Sequence, residues 1–215
     1  MEALGKPSAG RLKSPILWAA LSLVAIALAT SFGPPERTLG SNVRLVYLHG
    51  VWVWAALTAF TAAGLAGLAA FVLNRRLLHQ WSLALGRTGL FFWITYIPIS
   101  MWAMQTNWNG LFLAEPRFRL AVIFAISGLL LQVGLALLED PAWASAANLL
   151  FGVALGLALQ NTRNVLHPPA PILESDAWRI QLFFGALFLL TLFCAWQIAR
   201  WWFHLENSQA ETFDD

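Results

Sequence analysis

Residues 45–73 read Leu45-Val46-Tyr47-Leu48-His49-Gly50-Val51-Trp52-Val53-Trp54, and then run on through Ala, Thr, Gly, Leu and Phe to Leu73 without one charged side chain. An uncharged apolar run of this length exceeds the roughly 20 residues that a helix needs to cross hydrocarbon. It carries one imidazole, His49, near its start. Its second half is rich in small residues, Ala62, Ala63, Gly64, Ala66 and Gly67, which let helices approach closely in lipid.

Five more apolar segments flank it. Their limits are Pro15–Gly33, Thr88–Met104, Leu120–Leu138, Trp143–Leu159 and Trp178–Phe203. Over the whole chain, 59% of residues are hydrophobic and 11% charged, with mean hydropathy +0.63. A soluble domain carries about 25% charged residues, and the deficit is what a hydrocarbon solvent demands, because unpaired charge there costs several kcal/mol. The fold class expected is an all-α integral membrane protein, a single bundle of six transmembrane helices over residues 1–205. Residues 206–215, acidic and polar, read as a disordered tail. The first segment also fits a signal peptide, with Ala27-Leu28-Ala29 as a weak cleavage cue.

Composition also excludes. A net charge of +2 and the lack of a basic run argue against nucleic acid. The only cysteine, Cys194, permits no intrachain disulfide, and without a C-x-x-C-H stretch the chain is not itself a c-type cytochrome.

Six crossings fix which loops share a face. The loop Pro34–Arg44, the start of segment two with His49, the loop Gln105–Arg119 and the loop Gln160–Ala177 with His167 all meet one side. Lys6, Arg11, Lys13, Arg75, Arg76, Arg87 and Arg200 belong to the opposite side, against six arginines on the histidine side. Seven to six decides little, but the first span tends to set orientation, and three of the seven precede it. Both termini are therefore expected in the cytoplasm and His49 and His167 on the outer face.

That face has the residue types haem requires: imidazoles for the iron, aromatic rings for the macrocycle, and arginines for the propionates. His49 and His167 are the candidate iron ligands. Trp52, Trp102 and Trp108 are candidates for the macrocycle, and Arg117 and Arg119 for the propionates, with Arg163 and Arg44 on the same face. Each has a plainer reading. A lone interfacial histidine is more often solvated than a ligand, tryptophans form interfacial belts, and arginines snorkel. A two-haem arrangement using His79 and His204 on the other face, a zinc site, a small-molecule permease and a structural subunit of a larger membrane complex are the alternatives.

Three stretches then resemble the haem exporter protein C family of cytochrome c biogenesis. Tyr47-Leu48-His49-Gly50-Val51-Trp52-Val53-Trp54 resembles its Tyr-x-His-x-x-x-x-Trp opening of span two, without the usual proline after the histidine. Glu139-Asp140-Pro141 matches its acidic turn between spans four and five. Asn164-Val165-Leu166-His167-Pro168-Pro169 resembles its Asn-Thr-Leu-His-Gln-Pro stretch after span five. The likeness covers about Arg44 to Pro171. It implies six spans in a bacterial inner membrane and non-covalent haem b held between His49 and His167. It further implies presentation of that haem to a periplasmic haem chaperone or lyase beside ABC-type transporter subunits, with no catalysis. The family's tryptophan-rich loop is altered here. Trp108-Asn109-Gly110-Leu111-Phe112-Leu113-Ala114-Glu115-Pro116-Arg117-Phe118-Arg119 keeps one Trp and places Leu111, Phe112 and Leu113 where others stand. Apolar cover for a porphyrin survives such a change at roughly 25 cal/mol per Å², but the recognition of a haem chaperone is what the change puts in doubt.

Overall fold

A computed structural model of the chain describes residues 14–162, Ile172 and residues 176–213, with side chains to Glu206. The described residues form six helices: α1 Pro15–Ser31, α2 Val43–Leu73, α3 Arg76–Trp108, α4 Pro116–Leu138, α5 Pro141–Asn161 and α6 Trp178–Phe213. The chain is all-α, and four of these helices are long and apolar enough to cross a membrane: α2, α4, α5 and α6 from Trp178 to Glu206.

The junctions follow from local chemistry. Asn74, Asn109 and Glu139 take left-handed backbone conformations (φ 49°, 53° and 52°) and stop α2, α3 and α4; asparagine tolerates that region best after glycine. Two of the following helices restart on the same device. Glu115 accepts a hydrogen bond from the Phe118 amide (2.7 Å) ahead of Pro116, and Asp140 accepts one from the Ala142 amide (2.8 Å) ahead of Pro141. An acidic cap satisfies an orphan N–H and faces the positive end of the helix dipole, and proline at the first helical position gives up an amide that has no partner there. The turn Glu139-Asp140-Pro141 is thus a stop, a cap and a start in three consecutive residues.

α2 and α3 are the centre. α3 packs against α2, α4, α5 and α6, and α2 additionally against α1. The core joins Tyr47, Val51, Trp52, Ala55 and Phe60 of α2 to Leu90, Phe92, Trp93 and Tyr96 of α3 and to Phe184 and Leu187 of α6. Trp93 is 1% exposed and donates its indole N–H to the Ala121 carbonyl of α4 at 3.0 Å. α1 lies along α6, where the Cys194 thiol reaches the Ala19 carbonyl at 3.7 Å. Outward faces of α4 and α5 stay apolar and exposed, as Ile123, Leu130, Leu150 and Val153 show.

α3 differs most from the sequence expectation, beginning twelve residues before the apolar window Thr88–Met104. Its first turns are polar because neighbours satisfy them. His79 Nδ1 meets Ser145 Oγ at 2.7 Å, Ser82 donates to the Ala63 carbonyl at 2.8 Å, and Arg87 pairs with Glu206 of α6. Hydropathy registers only the lipid-like part of such a helix. α6 likewise continues to Phe213 through most of the stretch expected to be a disordered tail.

Candidate functional site

The packing gathers the start of α2, the end of α3, the start of α4 and the end of α5 at one end of the bundle. The Asn42 side-chain amide donates to the Thr106 carbonyl at 3.2 Å, which joins the entry to α2 with the exit from α3. The Arg117 guanidinium donates to the carbonyls of Leu159 (3.2 Å) and Thr162 (3.4 Å), which joins the start of α4 to the end of α5. At the other end, Arg87–Glu206 and His79–Ser145 tie the start of α3 to α6 and α5.

His49 lies two turns into α2 and is half-buried. Its imidazole centroid is 5.0 Å from the Tyr96 ring, tilted by 48°, and Tyr96 in turn lies 5.5 Å from Trp93. Pro98, two residues on, cannot donate to the Ile94 carbonyl and so loosens α3 near this point. One residue beyond His49, a Cβ on Gly50 would come within 2.9 Å of the Phe184 ring; glycine there lets α6 close over α2 directly beside the imidazole.

The other candidates divide by what already engages them. Trp52 is buried, donates its indole N–H to Thr95 Oγ1 at 2.9 Å and packs at 5.0 Å on Phe92, so it belongs to the α2–α3 interface. Trp102 is 60% exposed, and Trp108, the last residue of α3, is half-buried. Arg117 caps the negative end of α5, a favourable place for a cation. Arg44 is similarly held, donating to the Gly33 carbonyl at 3.0 Å. Arg119 is exposed, and its guanidinium makes no hydrogen bond or ion pair among the described residues. His167 and Arg163 lie outside the described residues.

In the α3–α4 connection that precedes Arg119 in the chain, Leu111, Phe112 and Leu113 are 48%, 41% and 49% exposed. These three adjacent side chains form a small exposed apolar surface at the end of the bundle. The residue types present at this end fit part of a haem site: one imidazole, an apolar surface and one disengaged guanidinium. Three or more His, Cys, Asp or Glu side chains placed to hold a metal ion do not occur together among the described residues.

Two features had no signal strong enough in the sequence. The Tyr96 contact to His49 joins residues 47 apart, on different helices. A polar cluster at the opposite end, Ser82, Ser145, Asn148 and Gln132, was signalled only by the rarity of Asn and Gln inside apolar spans. His79 and His204, the alternative pair of ligands, both lie within helices. His79 is engaged with Ser145, and His204 is exposed. No known protein family, no curated protein and no solved structure matches this chain.

Proposed function

We propose that the chain is a haem-holding membrane protein of cytochrome c biogenesis. In this reading it crosses a bacterial inner membrane six times, with both termini in the cytoplasm. α1, at 17 residues, spans about 25 Å by its helical rise, and tilt of its neighbours or local thinning of the bilayer accommodates the shortfall. α3 would cross with α2, α4, α5 and α6 packed against it and His79, Ser82 and Arg87 paired with those neighbours instead of facing lipid.

The observation that carries the reading is the position of His49, held against Tyr96 at the bundle end that also presents Trp102, the apolar run Leu111–Leu113 and Arg119. His49 would ligate the iron from one side and His167 from the other. Trp102, Trp108 and the 111–113 run would cover the macrocycle, and Arg119 would meet a propionate. Trp52 would support His49 from below, and Arg117 would hold α4 and α5 in place around the site. Bound haem would supply a low-polarity, redox-active cargo to be presented at the outer face; the chain itself breaks no bond. Hand-off to a periplasmic haem chaperone, with ABC-type transporter subunits alongside, is the proposed role of that presentation.

The test is the absorption spectrum of the protein purified from haem-producing cells. A Soret band is expected, and it should be lost when His49→Ala and His167→Ala are combined. Absence of the band in the wild type, or its persistence in the double variant, overturns the proposal. Arg119→Glu should lower haem retention with the helical content unchanged.

A second reading is favoured by one observation. Trp52 and Arg117 are both engaged in packing, which suits a structural subunit of a larger membrane complex that carries no haem. That reading predicts no Soret band and co-purification with other membrane subunits.

A further inference from the structure

α4 presents one stripe to the bundle: Phe118, Ala121, Ala125, Gly128 and Leu135 are its buried residues. Gln132 falls on the same stripe, four residues after Gly128 and three before Leu135, where a leucine would complete it. Its amide is oriented by a chain of constraints. Asn148 is 3% exposed, and its Nδ2 donates to the buried Ser82 carbonyl at 2.8 Å. Asn148 Oδ1 is therefore the acceptor, and Gln132 Nε2 donates to it at 3.2 Å. This leaves Gln132 Oε1 buried, with no hydrogen-bond partner. Flipping the Gln132 amide would set two carbonyl oxygens against each other, so the orphan cannot be exchanged away.

The same side chains continue to the bundle end. Ser82 is fully buried and donates to the Ala63 carbonyl. Ser82 Oγ and Ser145 Cβ each lie 3.1 Å from the Cβ position that Gly67 leaves empty. Ser145 Oγ meets His79 Nδ1 at 2.7 Å, and His79 is half-buried three residues into α3. Gly86 gives Asn148 its space, since a Cβ there would lie 2.5 Å from Asn148 Oδ1. Two glycines, two serines, an asparagine, a glutamine and a histidine thus form one continuous polar seam between α2, α3, α4 and α5, leading from the His79 end into otherwise apolar packing.

A buried acceptor in a hydrocarbon setting is costly unless something donates to it, and a buried polar group that its neighbours leave unsatisfied is where proteins keep an internal water. We propose that one internal water molecule sits against Gln132 Oε1 and donates to it, exchanging with the outside along the polar contacts that lead to His79. The seam lies at the opposite end from His49 and is independent of haem.

Water-edited solid-state NMR on the wild-type chain in bilayers tests this. Polarisation from water should reach the Gln132 and Asn148 side-chain amides about as fast as it reaches Gln80 at the start of α3, and several-fold faster than it reaches the lipid-facing Leu130 methyls. Transfer to Gln132 as slow as to Leu130 overturns the proposal and makes the cluster dry helix-packing contacts. Ser145→Val places a methyl across the route; transfer to Gln132 should fall several-fold with Gln80 unchanged. Undiminished transfer in a folded Ser145→Val variant overturns entry past His79. Should that variant not fold, the wild-type comparison alone decides.

Discussion

Gly86→Ala probes how tightly α5 is seated against α3. The added Cβ would lie 2.5, 2.6 and 2.7 Å from Oδ1, Nδ2 and Cγ of Asn148, all below any ordinary carbon contact. Asn148 cannot swing aside without loss, because it holds the Ser82 carbonyl at 2.8 Å and Gln132 at 3.2 Å. Overpacking a core costs about 1–3 kcal/mol. Interhelical hydrogen bonds in membrane proteins contribute about 0.6 kcal/mol each, so losing two adds roughly 1 kcal/mol. Against this, alanine is about 1 kcal/mol better than glycine in a helix. The net expectation is destabilisation of about 1–3 kcal/mol. The same substitution at Gly134 of α4, where no atom lies within 4 Å, has only the helix term and should be neutral or stabilising. Reversible unfolding in mixed micelles of SDS and a mild detergent measures both. A cycle with Asn148→Ala isolates the cause: once the amide is gone the new methyl has room and only the helix term remains, so the double variant should cost about 1 kcal/mol less than Asn148→Ala alone. Costs that simply add, within about 0.5 kcal/mol, would show that the clash with Asn148 is not the mechanism.

Two further outcomes concern the loops and caps. The Glu36 carboxylate accepts from the amides of Leu39 and Thr38 (2.9 and 2.8 Å), and these bonds, Leu39's first, hold its pKa below the usual carboxylate value. A lowered folded-state pKa means that the turn is stabilised above the ordinary glutamate range and loses that support as pH falls through the depressed value. Amide protection at Thr38 and Leu39 should therefore drop on acidification, whereas Glu36→Gln should begin low at neutral pH and show little further pH dependence. Arg117→Met should fray the last turn of α5, lowering amide protection near its C-terminus by about two- to five-fold, the factor that corresponds to a helix-dipole contact of 0.3–1 kcal/mol. Protection unchanged there would mean that Arg117 is not the cap of α5.

Apolar runs show in a sequence to the extent that their residues face lipid or other apolar side chains. α2 and α5 were legible almost to their ends, because Asn74 and Asp140-Pro141 mark a stop and a start by local chemistry, whereas α4 begins four residues before the expected Leu120, on the Glu115-Pro116 start. The first turns of α3 were not legible. His79, Ser82 and Arg87 look like loop residues until the partners on α5, α2 and α6 that satisfy them are in place. The candidate site was legible as a list of residue types on one face. The sequence does not show which members are already engaged: Trp52 by Thr95, Arg117 by the end of α5 and Arg44 by Gly33 are all long-range pairings.

These engagements change the weight of each sequence cue. Glu139-Asp140-Pro141, one of three stretches behind the likeness to haem exporter protein C, is accounted for by helix capping alone: a left-handed stop, an acidic cap and a proline start suit any short connection between two helices. It therefore argues for the hairpin of α4 and α5 and says little about cargo. His49 is different. Helix formation does not require an imidazole at that position, and an alanine or leucine there would suit an apolar span better. That ring is kept two turns inside α2, against Tyr96 and beside a glycine that draws α6 close. Under the proposed haem reading, His49 and Arg119 are the described candidates that would touch the ligand, and the spectrum of the His49→Ala single variant is the most discriminating measurement: if haem is held there, loss of one axial imidazole must shift or abolish the Soret band.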